Sequence, residues 1–257
     1  MAGGLGGRGR KKRAGAAASH LRMSGGDTSL PLPPSEKNKR PHAWRHGYCA
    51  VLDIGSTKIS CLIGKGEPNG TLRVTGYGWR RSAGVRNGAI TDLRDAEAAI
   101  RATVAQAETM AERPIDRVVV NLSCGHPASR LFNVRWPIGG RVVTDADLRR
   151  VVTEGRIQAT VQDREVIHTL PIDFTVDDTE GVSDPLGHLC ETLEARLHII
   201  GAATTALINL ETVLARTELK IEALVASPLA SGLSVLDADE RDLGTTVVDM
   251  GGGTTSL

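Results

Sequence analysis

The stretch "AVLDIGSTK" (residues 50–58) returns near the other end of the chain in altered form, as "TVVDMGGGTT" (246–255). Each copy runs from apolar β-formers into Asp, then an apolar residue, Gly, one or two small residues and a hydroxyl side chain. The two lie too far apart for a short solenoid period. They suit two related halves of one fold, each opening on a strand and a tight turn. Glycine permits φ > 0 and brings no Cβ, so successive backbone N–H groups can converge on a phosphate oxygen. Ser56, Thr57, Thr254 and Thr255 add hydroxyl donors. Asp53 and Asp249, each ending a strand, can hold hydrated Mg²⁺, an ion that takes few carboxylates and keeps several waters. Lys58 stands where it can offset phosphate charge, although a solvated position is the commoner fate of a lysine. Neither a GxxxxGK[ST] loop nor a GxGxxG fingerprint occurs. Singly, either copy is only a turn signal. The matched pair carries the weight.

Between the copies the periodicities alternate. "YCAVLDIGSTKISCLIGKG" reads as strand, turn and strand, and "TLRVTGYGWRR" as a third strand entered through Pro68, Asn69 and Gly70. In "TDLRDAEAAIRATVAQAETMAER", Leu93, Ala96, Ile100, Val104 and Ala107 recur at helical spacing, with Thr91 or Asp92 as cap and Pro114 as stop. "DRVVVNLS" predicts a strand buried on both faces. From about 125 to 197 the texture changes. "FNVRWPIGGRVVT" predicts a turn between short strands, and "TDADLRRVVTEGRIQAT" a helix capped at Thr144. "REVIHTLPIDFTVDD" predicts an edge strand because of Pro171, and "CETLEARLHIIGA" a further strand. Beyond it, "ATTALINLETVLARTELK" is an amphipathic helix and "IEALVAS" a strand. "PLASGLSVLDADERDLG" reads as one helix ending at Gly244, and "TTVVDMGG" opens a new strand.

The net charge of +1 hides an asymmetry. Residues 1–46 hold ten Lys and Arg against Asp27 and Glu36, leaving an acidic remainder. That segment is rich in Gly, Ala, Pro and cations and has little to bury, so it is expected to be a disordered basic tail. Its RGRKKR cluster can touch anionic lipid or nucleic acid electrostatically, or simply be solvated; no specific nucleic-acid recognition is expected. No apolar run suits a secretory signal or a membrane helix. Cys49, Cys61, Cys124 and Cys190 lack metal or redox spacing and read as reduced thiols. His168, His188 and His198 read as packing or surface residues rather than metal ligands.

"VLDIGSTK", "PLASGLSVL" and "VVDMGGGTT" resemble, in that order, the phosphate 1, connect 1 and phosphate 2 elements of the actin-like ATPase superfamily. Within it, "GAITDLRDAEAAIRATVAQAE", "EVIHTLPIDFTVDDTEGVSDPLG" and "LSVLDADERDLGTTVVDMGGGTTSL" resemble the FtsA family of bacterial cell-division proteins. The resemblance implies an α/β fold: an actin-like (ribonuclease H-like) domain with an inserted α+β subdomain of the 1C type. Residues 47–124 and 198–243 would form the 1A-like part, 125–197 the insertion, and 244–257 the start of subdomain 2A. Most of the second half is then expected beyond Leu257, so the chain is expected to be a fragment.

On the same resemblance, Asp53, Gly55, Ser56, Thr57 and Lys58 match phosphate 1, and Asp249, Gly251, Gly252, Gly253, Thr254 and Thr255 match phosphate 2. Together they would hold ATP, with Asp53 and Asp249 ordering Mg²⁺ largely through water. Ser227 and Pro228 offer no acidic or amide group to orient a hydrolytic water, and Ser256 stands where many members have Asp. Weak ATPase activity at most is implied. The family's role is that of a scaffold at the division site, on the cytoplasmic face of the membrane. It polymerises, tethers the FtsZ ring to the membrane and recruits later division proteins. Here self-association would run through 125–197, whereas FtsZ and membrane contact need segments beyond this sequence. The alternatives within the superfamily are a pilus-assembly or chaperone-like ATPase and a small-molecule kinase. The kinase would need a general base, for which Asp173 and Asp177 are the nearest carboxylates.

Overall fold

The computed structural model describes residues 47–257; the tail assigned to 1–46 lies outside the described residues. β1 (Tyr48–Ile54) pairs antiparallel with β2 (Lys58–Gly66), which pairs with β3 (Leu72–Arg81). Gly70, at φ 85°, makes the second connection, where a left-handed backbone is required. A small ladder of β4 (Val85–Arg86) and β5 (Ala89–Ile90) turns at Asn87 and Gly88, both with positive φ. That two-residue turn matches the twist of its strands.

Helix α1 (Leu93–Ala111) follows, with the Asp92 carboxylate accepting from the Arg94 and Asp95 amides. Its left-handed C-cap, Glu112, ends it before Pro114 acts. The apolar stripe of α1 lies over β3, where a Cβ on Gly76 or Gly78 would collide with the helix backbone at Ala107 or Thr103. β6 (Arg117–Leu122) lies parallel to β1. It is not buried on both faces: Val118, Val120 and Leu122 are buried, while Val119 and Asn121 are only half-covered.

The chain then builds a second sheet from β7 (Ala128–Val142), β8 (Arg164–Val176), β9 (Thr179–Val182) and β10 (Leu189–Ala203), in the order β7-β10-β8-β9. Helix α2 (Asp145–Gln158) packs on it. The segment read as a turn between short strands is one long strand. Gly139 and Gly140, both at positive φ, absorb extra residues as a bulge opposite Cys190–Thr192, so the ladder runs on. Pro171 sits in the part of β8 that short β9 does not reach, beside a register irregularity in its pairing with β10, where a proline is tolerated. Asp147 reaches back to the N–H and hydroxyl of Thr144, and its carboxylate is paired with Arg141 at 2.6 Å. The Arg141 guanidinium holds that buried carboxyl well below the usual range.

Helix α3 (Thr204–Arg216) leads to β11 (Lys220–Ala226), parallel to β6, which completes a five-stranded sheet in the order β11-β6-β1-β2-β3. Three antiparallel strands followed by two parallel ones give the mixed α/β, ribonuclease H-like arrangement expected of an actin-like fold. Leu52, Ile59, Ile63, Val118, Val120, Leu122, Leu210 and Leu214 fill the core. The segment 228–244 is two helices rather than one. α4 (Ser227–Val235) breaks at Leu236, and Asp237 starts α5 (Ala238–Leu243) with a reciprocal Asp237–Glu240 capping box. The strand expected from 245 is confined to β12 (Asp249–Met250), paired with β13 (Thr255–Ser256). All four cysteines are free thiols, and burial pushes Cys61 up to about 12.

The two bodies are joined by more than chain continuity. Ile167 of β8 and Ala202 of β10 belong to the core of the five-stranded sheet, and the neighbouring His168 is 1% exposed. Burial, and then nearby His198, lower the His168 pKa from 6.5 to about 4. The fold therefore holds neutral imidazole, while the unfolded chain takes up a proton below 6.5. This contribution is complete above pH 6.5 and is lost as the pH falls to about 4. Urea midpoints should drop across that window, and His168→Leu should flatten the drop relative to wild type. Gly78→Ala, which forces α1 off β3, should cost about 1–3 kcal/mol in the same assay at pH 7.

Candidate functional site

Two hairpins of the same construction meet at one end of the five-stranded sheet. In the first, the Gly55 amide donates to the Lys58 carbonyl at 3.0 Å; in the second, the Gly251 amide donates to the Thr254 carbonyl at 2.8 Å. The register is also shared. Asp53 lies opposite Ser60, and Asp249 lies opposite Ser256. Hence the two carboxylates hold equivalent places, and Ser256 is the ladder partner of Asp249.

The tips touch. A Cβ on Gly252 would collide with the Thr57 hydroxyl, and one on Gly253 would stand 2.6 Å from Ser56 Oγ and 3.0 Å from Asn87 Cα. Glycine at these two positions is what lets one backbone approach the other loop. Ser56 Oγ accepts from the Gly88 amide at 2.9 Å, and a Cβ on Gly88 would lie 3.0 Å from Thr254 Cγ2, so the β4–β5 turn flanks the contact. Ser56 and Thr57 are thus brought together with Gly252, Gly253 and Thr254, while Gly55 and Gly251 close their own turns and Thr255 pairs with Met250. Lys58 is exposed at the start of β2, opposite Arg81.

The carboxylates are held from behind by groups that sequence reasoning missed. Asn121 Nδ2 donates to Asp53 Oδ1 at 3.0 Å and to Ser227 Oγ at 3.1 Å. Its own Oδ1 is buried and has no partner among the described residues. On α4, Ser227 and Ser231 lie one turn apart, and Ser231 Oγ donates to Asp249 Oδ2 at 3.1 Å. One face of α4 therefore spans from the Asp53 side to Asp249. The signals were present: a polar Asn121 in an otherwise apolar strand, and serines four apart in "SPLAS".

Chemically, the site offers two carboxylates, several hydroxyls and glycine turns that bring no side chains of their own. Among the described residues no three His, Cys, Asp or Glu side chains form a ready metal cage. Two carboxylates with hydroxyls suit an ion that keeps most of its water, and bare glycine amides suit phosphate oxygens. The residues present fit a magnesium–phosphate group. Asp173 and Asp177 lie in the other sheet and have structural tasks. Asp173 is paired with Arg196, and Asp177 Oδ1 accepts from the Glu191 and Thr192 amides. Neither serves this site as a base.

Residues 124–201 match the family described as the SHS2 domain inserted in FtsA. Cell division protein FtsA of Agrobacterium fabrum is 38% identical over 238 residues, covering 89% of this chain and 53% of the relative. The Escherichia coli K12 protein of the same name is 32% identical over 206 residues, covering 80% and 49%. The chain thus spans about half the length of the curated relatives it matches. Among solved structures, the PilM–PilN type IV pilus biogenesis complex aligns at 15% identity and TM-score 0.49, over 72% of this chain and 49% of its own.

Asn121→Asp places a carboxylate oxygen where an amide nitrogen now stands 3.0 Å from Asp53. At pH 7 the variant should be less stable than wild type by about 1–3 kcal/mol. At pH 4 the deficit should shrink, because one of two crowded carboxylates then keeps its proton. Urea titrations of both proteins at the two pH values measure the difference.

Proposed function

The chain belongs to the FtsA family of cell-division proteins, and on that premise we propose that it carries both phosphate hairpins of an ATP-binding, actin-like division scaffold. The observation that carries the reading is the pairing of the hairpins: same closing bond, same Asp–Ser register, tips in contact. Gly55, Ser56, Thr57 and Lys58 would face the phosphates from one side, and Gly251, Gly252, Gly253, Thr254 and Thr255 from the other. Asp53 and Asp249 would hold the waters of Mg²⁺, whose charge offsets that of ATP. Asn121 and Ser231 keep those two carboxylates oriented.

Ser227 spends its hydroxyl on Asn121 and presents no carboxylate or carboxamide to a water. This supports nucleotide-gated assembly with weak hydrolysis at most, in place of metabolic phosphotransfer. In this reading 47–124 and 198–243 form the nucleotide-facing unit, 125–197 the inserted contact unit, and 244–257 the beginning of the opposing half. Self-association runs through the inserted unit. Tethering of FtsZ, membrane attachment at the cytoplasmic face and recruitment of later division proteins belong to the whole protein, since the match covers only about half of each relative. Among the described residues no helix is long and apolar enough to cross a membrane.

The test is a Mg-ATP titration of the ¹⁵N-labelled chain at millimolar nucleotide. Amides of Gly55–Thr57 and of Gly251–Thr254 should shift together, and Asp53→Asn should suppress both responses. Unmoved resonances in both hairpins would overturn the reading.

A further inference from the structure

Among the described residues β11 is an edge strand: β6 occupies one side of it and no strand the other. At its last residue the Ala226 N–H donates to His168 Nε2 at 2.9 Å. An imidazole from the inserted sheet thus caps the edge of the nucleotide-facing sheet where the chain enters α4. Burial keeps the imidazole neutral, so Nε2 retains its lone pair and the proton sits on Nδ1. Nδ1 is buried without a partner among the described residues, as is Oγ1 of the adjacent Thr169. An unpartnered buried donor is unfavourable, and a leucine would have avoided it. Packing alone does not account for histidine here.

We propose that His168 is a positioning residue that fixes the start of α4, and thereby transmits the placement of the inserted sheet to the Asp53 side of the nucleotide site. The proposal rests on the nucleotide reading of that site. Ala226 is the N-cap of α4, with φ −65° and ψ 131°, and its side chain makes no cap bond. Its amide orientation is therefore set from outside the helix. The next residue, Ser227, accepts from Asn121 Nδ2, which also donates to Asp53 Oδ1. One turn on, Ser231 donates to Asp249. Ile167 and Ala202, packed in the core of the five-stranded sheet, hold this end of β8 and β10 against it. A movement of the inserted unit that withdraws His168 frees the Ala226 amide, rotates the start of α4 and loosens the brace on Asp53.

The full chain is compared as wild type, His168→Leu, His168→Gln (which keeps an acceptor) and Thr169→Val (which alters the same junction without touching the Ala226 bond). A scalar coupling between Ala226 N and His168 Nε2 should be seen in wild type; its absence, with Ala226 exchanging freely, overturns the proposal without any variant. His168→Leu should speed Ala226 amide exchange by about tenfold or more and shift the Asn121 side-chain Nδ2 resonances. It should also weaken the Mg-ATP response of the Gly55–Thr57 amides. Gln should restore these signals in part, and Thr169→Val should leave them unchanged. Faster Ala226 exchange with unmoved Asn121 resonances would show a merely structural contact and overturn the relay. If no variant responds to nucleotide, the functional reading fails, while the Asn121 resonances still decide whether His168 acts through α4.

Discussion

Strand β6 has parallel partners on both sides, and its register decides where each chemical group of the cleft falls. Asp53 of β1 and Val225 of β11 both lie level with Asn121. Val118, Val120 and Leu122 alternate with Asn121 and are buried beneath α1 and α3. Because side chains in a strand alternate faces, a slip of one residue would drive the carboxamide into that core and expose the valines. The hydrophobic pattern therefore holds the register, and the register brings Asn121 to Asp53. The amide's second hydrogen then calls for an acceptor, which Ser227 supplies as the chain turns from β11 into α4.

The second hairpin has little stability of its own, since β12 and β13 are two residues each. Its position comes from contacts: glycine against the Ser56–Thr57 loop at the tip, and Ser231 against Asp249 at the base. An element held this way depends for its place on the Ser56–Thr57 loop and on α4 rather than on its own ladder. The inserted sheet is fastened to the same region by Ile167, Ala202 and the His168–Ala226 bond. The inserted sheet and the paired hairpins are thus linked through the start of α4.

Much of this architecture was legible from local chemistry. The hairpin turns announce themselves because glycine and hydroxyl residues follow a strand-ending Asp, and α1 because its apolar stripe and caps are strong. The misreadings have physical causes. At 132–144, Pro137 and the Gly139–Gly140 pair resemble a turn, yet twelve paired positions with β10 override local propensity and turn them into a bulge. At 228–244 the reciprocal cap of Asp237 and Glu240 was written in "DADE", but the apolar residues that recur up to Leu236 masked the break. Asn121 and Ser231 left local hints in the sequence, but the partners of Asn121, Ser231 and His168 come from distant segments and could not be read there. His168 read as a packing residue is buried as expected, but its bond to Ala226 is visible only once the two sheets are assembled.

The central claim is that two hairpins separated by most of the chain form one site. The most direct measurement is a nuclear Overhauser contact between the Gly252 α protons and the Thr57 side chain in the isotopically labelled chain. The present geometry, in which a Cβ on Gly252 would collide with the Thr57 hydroxyl, requires a strong cross-peak. Its absence, together with rapid solvent exchange of the Gly251–Gly253 amides, would contradict the account.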